Sequence, residues 1–287
     1  MATGNHGTGS VTAGELWRKI YPPVENPKLR ILSHGGGVQT STLLFMAARG
    51  EIDPIDAAIM ADPMREPRSV YEYLAYASEQ TNTPVILASG GDIFDHIRRS
   101  KGRPDGKLLV TLPYYLADGG QMMRTCTKTL KIDVVTQEIR KLLGLKKRQR
   151  VAPGTVVEVM IGISSDEWLR AGGFPATKWQ QVRYPLLEKD MSFASCMRWL
   201  EERQYRKPPR SRCIMCPYRS NESWRALEPD EFEFACEVDD LIRADGKPPR
   251  GYKSLPYLHR DRIRLREVDL TRADLFDEED CMGGCAT

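Results

Sequence analysis

Apolar residues in this chain recur in short runs closed by glycine or proline, with longer amphipathic stretches between them. The run at 29–33 (Leu-Arg-Ile-Leu-Ser) predicts a strand that stops at Gly35, Gly36 and Gly37, and 40–48 then has the composition of a helix ending near Gly50. Residues 56–60 read as a second strand, with Asp62 and Pro63 just beyond it. In the helix predicted over 69–81, Val70, Tyr73, Leu74 and Ala77 fall on one face. A third strand follows at 84–88, then a helix at 132–143 and a further buried strand at 155–163. Strands alternating with helices predict an α/β fold, a parallel sheet with helices on both faces. After Asp166 the pattern changes to helical segments joined by Pro- and Arg-rich connections. Two connections match, Lys207-Pro208-Pro209-Arg210 and Lys247-Pro248-Pro249-Arg250, but four residues are too few to count as a repeat. The expected organisation is a flexible tail over 1–26, a sheet domain over 27–165, a mainly helical cysteine-rich portion over 166–270 and a second tail over 271–287.

Composition narrows the class. Of 287 residues, 41% are hydrophobic and 28% charged, the balance of a soluble globular protein. No run approaches the roughly 18 apolar residues of a membrane span. The first fourteen residues lack the apolar centre of a signal peptide, so the cytoplasm is the expected compartment. A net charge of +3 does not by itself point to nucleic acid. Basic residues do cluster at 146–150, 203–212 and 260–266, where solvated surface is the plainer reading. The middle cluster differs because it runs straight into a cysteine pair. Seven cysteines in a chain with no secretory signal lean towards metal or redox chemistry rather than disulfides.

The sharpest local signal is Ser33-His34-Gly35-Gly36-Gly37-Val38-Gln39-Thr40-Ser41-Thr42, between a strand and a helix. Glycines there let backbone N–H groups approach an anion, and a helix N-terminus adds favourable partial charge. The hydroxyls of Ser33, Thr40 and Ser41 add donors suited to phosphate oxygens. A tight glycine turn with no ligand is the plainer alternative. The Gly-Lys-Ser/Thr ending of a Walker A loop is absent, which argues against a P-loop NTPase.

This loop resembles the pyrophosphate loop of the PP-loop ATP pyrophosphatases, particularly the branch of phosphoadenylylsulfate (PAPS) reductases and ATP-dependent sulfurtransferases, which reads Ser-Phe-Ser-Gly-Gly-Lys-Asp-Ser. Ser33 matches the leading serine, Gly36 and Gly37 the glycine pair, and Thr40 the final serine. His34 stands at the aromatic position. Gly35, Val38 and Gln39 depart from serine, lysine and aspartate. The resemblance implies ATP with Mg2+, held by Ser33, His34, Gly35, Gly36, Gly37, Gln39, Thr40 and Ser41. It extends over roughly 29–258. Ala61-Asp62-Pro63-Met64-Arg65-Glu66-Pro67 resembles the Asp-Thr-Gly-x-Glu-x-Pro stretch of PAPS-reductase-like domains, which implies that Asp62 borders the nucleotide. Glu66 is equally suited to starting the following helix. Gly162-Ile163-Ser164-Ser165-Asp166-Glu167 resembles a Gly-Ile-Ser-x-Asp-Glu segment of PP-loop relatives, where Asp166 and Glu167 would orient substrate or a metal ion; Ser165 or Asp166 is also a natural helix cap.

Cys213-Ile214-Met215-Cys216-Pro217 is a Cys-x-x-Cys pair whose thiolates can reach one metal from a tight turn. In the relatives, an Arg-x-Cys-Thr segment and a Cys-x-x-Trp-Leu segment accompany such a pair, matching Cys126 and Cys196 here. The resemblance therefore implies one centre held by Cys126, Cys196, Cys213 and Cys216, either a [4Fe–4S] cluster or structural Zn2+. Cys236 reads as a small packing residue. Cys281 and Cys285, on a glycine-rich tail, are candidate thiols for delivery to an active site, although the Glu-Cys-Gly-Leu-His signature of PAPS reductases is absent.

Three functions follow from these features. The first is an ATP-dependent sulfurtransferase that adenylates a substrate oxygen, on a nucleobase, nucleoside, DNA or RNA, and replaces it with sulfur from a donor protein. The second is a PAPS/APS-type reductase using the tail thiols. The third is a non-catalytic nucleotide-binding component of a nucleic-acid modification or defence complex.

Overall fold

The computed structural model describes residues 11–101, 103–105, 108–172 and 177–273. Helix α1 (Ala13–Ile20) opens on a capping box: the Thr12 hydroxyl accepts from the Glu15 N–H while the Glu15 carboxylate accepts from the Thr12 N–H. The chain then alternates: β1 (Leu29–Ser33), α2 (Val38–Ala48), β2 (Ala57–Ala61), α3 (Arg68–Glu79), β3 (Val85–Ala88) and α4 (Ile93–Lys101). A short strand, β4 (Tyr115–Leu116), precedes α5 (Asp133–Leu142), which grows from a π-helical turn at Lys128–Ile132. Next come β5 (Val157–Ile161), a 3₁₀ turn at Ser165–Arg170, β6 (Gln180–Arg183), α6 (Pro185–Glu188) and α7 (Phe193–Glu202). Then come α8 (Asn221–Arg225), α9 (Pro229–Leu241), β7 (Pro256–Tyr257), which pairs antiparallel with β4, and a 3₁₀ turn at Leu265–Glu267.

Five strands form one parallel sheet in the order β3-β2-β1-β5-β6. Strand periodicity of two explains its layering. On one face Ile31, Ile59, Val157, Val159 and Ile161 pack with Val134, Val135 and Ile139 of α5. On the other, Leu32, Ala58 and Met160 meet Leu43 and Leu44 of α2 and Trp199 and Leu200 of α7. Every residue of β2 and β5 is buried, as helices covering both faces of a parallel sheet require. Each fully buried Leu, Ile or Phe contributes about 1.5–3 kcal/mol. The fold is therefore the expected α/β sandwich, and the first four large-sheet strands fall where the apolar runs placed them.

The outer strand β6 lies past Asp166, so the sheet draws its edge from the portion expected to be helical. Its charges are built in. Glu158, fully buried in β5, accepts from Arg30 Nε at 2.6 Å and from the Val24 N–H at 2.6 Å, which ties the incoming chain to the sheet. Arg183 of β6 pairs with Glu188 at 2.7 Å and lies 3.5 Å from the same Glu158. A third core, separate from the two sheet faces, combines Ile93 and Ile97 of α4, Leu112 and Leu130 with Met215, Trp224, Val238, Leu258 and Leu265. It also takes residues from both sides of Asp166. No helix among the described residues is long and apolar enough to cross a membrane.

Candidate functional site

Strands β1 and β5 are neighbours, but the chain leaves β1 towards β2 and leaves β5 towards β6 on the opposite side. A parallel sheet opens a crevice beyond the carboxyl ends of its strands at such a switch point. Two loops meet there, 34–37 after β1 and 162–165 after β5. Their glycines differ in role. Gly36 has φ +75°, and a Cβ on it would lie 3.2 Å from Val70 Cγ1 and 3.5 Å from Ser211 Cβ, so the protein's own packing requires glycine. Gly37 is extended (φ −99°, ψ −176°) and its missing Cβ would meet nothing within 4 Å. None of the described residues demands glycine at 37; the space it leaves is open. Gly162 allows the closest approach: a Cβ there would fall 2.7 Å from Thr40 Cγ2 and 3.0 Å from the Thr40 backbone nitrogen. The turn after β5 thus rests directly on the first turn of α2.

Thr40 fastens the loop. Its Oγ1 accepts from the Gly35 N–H at 3.2 Å and donates to the Gly37 carbonyl at 3.3 Å. Ser33 and Ser41 are also buried. Helix α2 carries no acidic residue in its first turn, so the partial positive charge of its N-terminus is not offset by its own sequence. Gln39 Nε2 donates to Glu167 at 3.1 Å, and Arg170 pairs with the same carboxylate at 2.6 Å, bridging α2 to the 3₁₀ turn.

His34 is the feature that packing does not explain. It is 3% exposed, and neither ring nitrogen has a hydrogen-bond partner among the described residues. Burial pushes its pKa down to about 4, so the ring is neutral at pH 7, with one nitrogen able to donate and the other to accept. Its backbone N–H donates to the Ile59 carbonyl of β2. Ser164, buried in the loop after β5, has a hydroxyl in the same condition. The Ser41 hydroxyl, in the first turn of α2, is a third orphaned buried group beside the paired strand ends where the crevice opens. Leaving such groups unmet costs about 1–3 kcal/mol each.

Asp62 directly follows β2 and accepts from the Met64 N–H at 2.7 Å and the Tyr71 hydroxyl at 2.9 Å. Burial, with the Asp62 charge next, pushes the Tyr71 phenol up, so Tyr71 remains a donor. Asp166 accepts from the Phe193 N–H at 3.1 Å and anchors the start of α7, a cap on a helix other than the one its own loop begins.

Glu66, which the sequence offered either as part of the Asp62 motif or as the start of the next helix, lies at the centre of this region. It is 2% exposed; Ser211 Oγ donates to it at 3.3 Å, Cys213 Sγ lies 3.8 Å away and Lys131 Nζ 3.9 Å. Through Ser211, the segment entering the Cys-x-x-Cys turn also touches the loop at Gly36.

The structure places the expected cysteine ligands Cys126, Cys196 and Cys213 in two different cores. Cys196 is fully buried in the core between α2 and α7, whereas Cys126 and Cys213 pack on the third core. Burial pushes the Cys196 thiol up to about 12, as it does for a thiol packed among apolar side chains. Among the described residues no group of three or more His, Cys, Asp and Glu side chains is placed to hold a metal ion. The [4Fe–4S] or Zn2+ reading therefore finds no fitting donor set there. Cys213 and Cys216 do form the expected turn, closed by the Cys216 N–H on the Cys213 carbonyl at 2.9 Å. Cys281 and Cys285 lie outside the described residues. The basic segment is divided: Arg212 is buried on the Tyr218 carbonyl and Arg203 covers the Trp199 ring, while Arg206, Lys207 and Arg210 are exposed.

No protein-family model matches the chain. No curated protein matches it either. One similar solved structure is the phosphoadenylyl-sulfate (PAPS) reductase from Candida auris, in a phosphate complex: 14% identity, 68% of this chain and 80% of that chain covered, TM-score 0.38.

Proposed function

We propose that the chain is an ATP-using enzyme of the PP-loop kind, which holds the nucleotide's phosphates at the N-terminus of α2 and adenylates a substrate oxygen. The observation that carries this reading is the open space at Gly37, in the same loop as the orphaned ring of His34. The glycine admits an anion to the backbone donors of the first helical turn, and the neutral imidazole gains the partner that the described residues do not give it. In the reaction a substrate oxygen attacks the α-phosphate, the bond to the β-phosphate bridging oxygen breaks, and pyrophosphate leaves. Backbone donors fixed by Thr40 and by the Gly162 contact stabilise the charge that develops. Asp62, directly after the strand next to β1, is the carboxylate suited to a Mg2+ carried on the phosphates, since Mg2+ needs only one or two protein carboxylates. Arg206, Lys207 and Arg210, on the segment leading to Ser211, suit an acceptor that itself bears phosphate, such as DNA or RNA. Sulfur as the incoming atom is the finer form of this proposal.

A second reading has its own observation. Cys213 lies beside the buried Glu66 on the segment that touches Gly36, which favours thiol chemistry on a bound adenylylated sulfur compound.

The test is Gly37→Val. The backbone at 37 is extended and the space is open, so the variant folds, while its side chain fills the phosphate position. Calorimetry is expected to show ATP binding in the native protein and none in the variant. Equal ATP affinity in a folded Gly37→Val protein would remove the assignment.

A further inference from the structure

One of the two Lys-Pro-Pro-Arg segments leads to the phosphate loop; the other has no part in that site. All four residues of 247–250 line a separate cavity of about 280 Å³, between α4, the chain that follows it and the connection from α9 to β7. It shares no residue with the crevice at the switch point. Its size lies near the lower end of small-molecule pockets, roughly 300–1,000 Å³.

The lining is two-sided. Ile97, Val110, Tyr114 and Ile242 belong to the third core and give an apolar floor. Lys101, Arg103, Lys247 and Arg250 supply four cations against one carboxylate, Asp245. Lys101 pairs with that carboxylate at 2.8 Å, and Arg103 is held bidentate by Asp105 at 2.9 and 2.7 Å. Positive charge therefore remains in excess after these pairs are made. The sequence explains why the far wall is firm: each proline fixes its own φ, and the residue before a proline is driven to the extended region. Lys247 is thereby carried on a stiff stretch of backbone, and Arg250 stands in the turn that follows it, closed by the Tyr252 N–H on the Pro249 carbonyl at 3.0 Å. A second observation points to an occupant. Tyr114 is 4% exposed, lines this cavity, and its hydroxyl has no partner among the described residues. A buried tyrosine hydroxyl is normally hydrogen-bonded.

We infer that this cavity is a second binding site, for a small molecule with an apolar ring and one phosphate or carboxylate group. The ring would lie on the apolar floor, the anionic group at Lys247 and Arg250, and a polar substituent within reach of Tyr114. Nucleoside monophosphates and aromatic carboxylates share this chemistry.

The probes are 1-naphthyl phosphate, benzoate and uncharged 1-naphthylmethanol, titrated by calorimetry into the full chain carrying Gly37→Val, so that the phosphate loop takes no part. Saturable 1:1 binding of naphthyl phosphate or benzoate is expected, and which one binds more tightly separates the two sources. Naphthylmethanol should bind at least about tenfold more weakly, because it cannot make a charge-assisted hydrogen bond to either cation. Replacing Lys247 and Arg250 together by glutamate changes only exposed side chains and should weaken the anion by at least as much. Ile97→Trp, which fills the floor, should abolish binding; if that variant does not fold, the glutamate pair decides. Absence of saturable binding by either anion at about 1 mM, or affinities unchanged in the glutamate pair, would overturn the site.

Discussion

Acidification is expected to weaken the fold through His34. An unfolded histidine takes a proton below its ordinary pKa of 6.5, whereas the folded ring takes one only below about 4. The unfolded state therefore binds more protons between these values, and stability, intact above pH 6.5, declines as pH falls through that window and levels off below it. At about 1.4 kcal/mol per pKa unit the full loss is about 3 kcal/mol, of which about 2 kcal/mol appears between pH 7 and pH 5. That is a large part of a typical stability of about 5–15 kcal/mol. His34→Phe keeps an aromatic ring in the same buried position and removes the titrating group. Urea unfolding followed by tryptophan fluorescence, at pH 7 and pH 5 for both proteins, isolates the effect as a difference. Depressed carboxylates such as Glu51 and Asp53 titrate lower, below their ordinary 4.5 and 3.8, and are common to both proteins. The native protein should lose about 2 kcal/mol more than the variant over this interval. Equal losses would show that His34 is not held neutral by burial, and the orphaned ring would lose its place in the site.

Three further outcomes are expected. Gly162→Ala forces a Cβ against Thr40, including its backbone, and should cost about 1–3 kcal/mol by thermal unfolding, with weaker ATP binding because the first turn of α2 must shift. Cys196 should resist iodoacetamide at pH 8 in the native protein and react only after unfolding, read by peptide mass spectrometry, since its thiol is fully buried and pushed up to about 12; rapid native labelling would contradict its placement. Replacing Arg206 and Arg210 by alanine should lower the salt dependence of DNA or RNA binding by about one unit of slope for each phosphate no longer neutralised. Binding that ignores salt would assign that surface to plain solvent.

The parts of this fold that were legible in the sequence are those whose burial is local. β1, β2, β3 and β5 are apolar runs closed by glycine or a turn, and helices covering both faces of a parallel sheet leave no other pattern open to them. β6 was missed because Gln-Gln-Val-Arg carries one apolar residue; its burial comes from the Arg183 ion pairs with Glu158 and Glu188, which no local window reveals. The glycine loop was legible for the same local reason. The central place of Glu66 was not, since its partners Lys131, Ser211 and Cys213 lie far along the chain. The cysteine centre shows the limit most plainly. The spacing of Cys213 and Cys216 states that two thiols share a turn, but Cys196 follows the apolar face of α7 into a different layer.

The third core has a consequence for how this protein is made. Its early contributors, Ile93, Ile97, Leu112 and Leu130, leave the ribosome well before Trp224, Val238, Leu258 and Leu265 exist to cover them. At roughly 5–20 residues per second that wait is about ten seconds, ample for a nascent chain to meet a chaperone or another nascent chain. The sheet can begin to layer meanwhile, since α2, α3 and α5 are already synthesised, but the half-built core stays wet and adhesive. Slow translation through 140–220 would lengthen that interval, and yield in a chaperone-depleted cell-free system should fall with it.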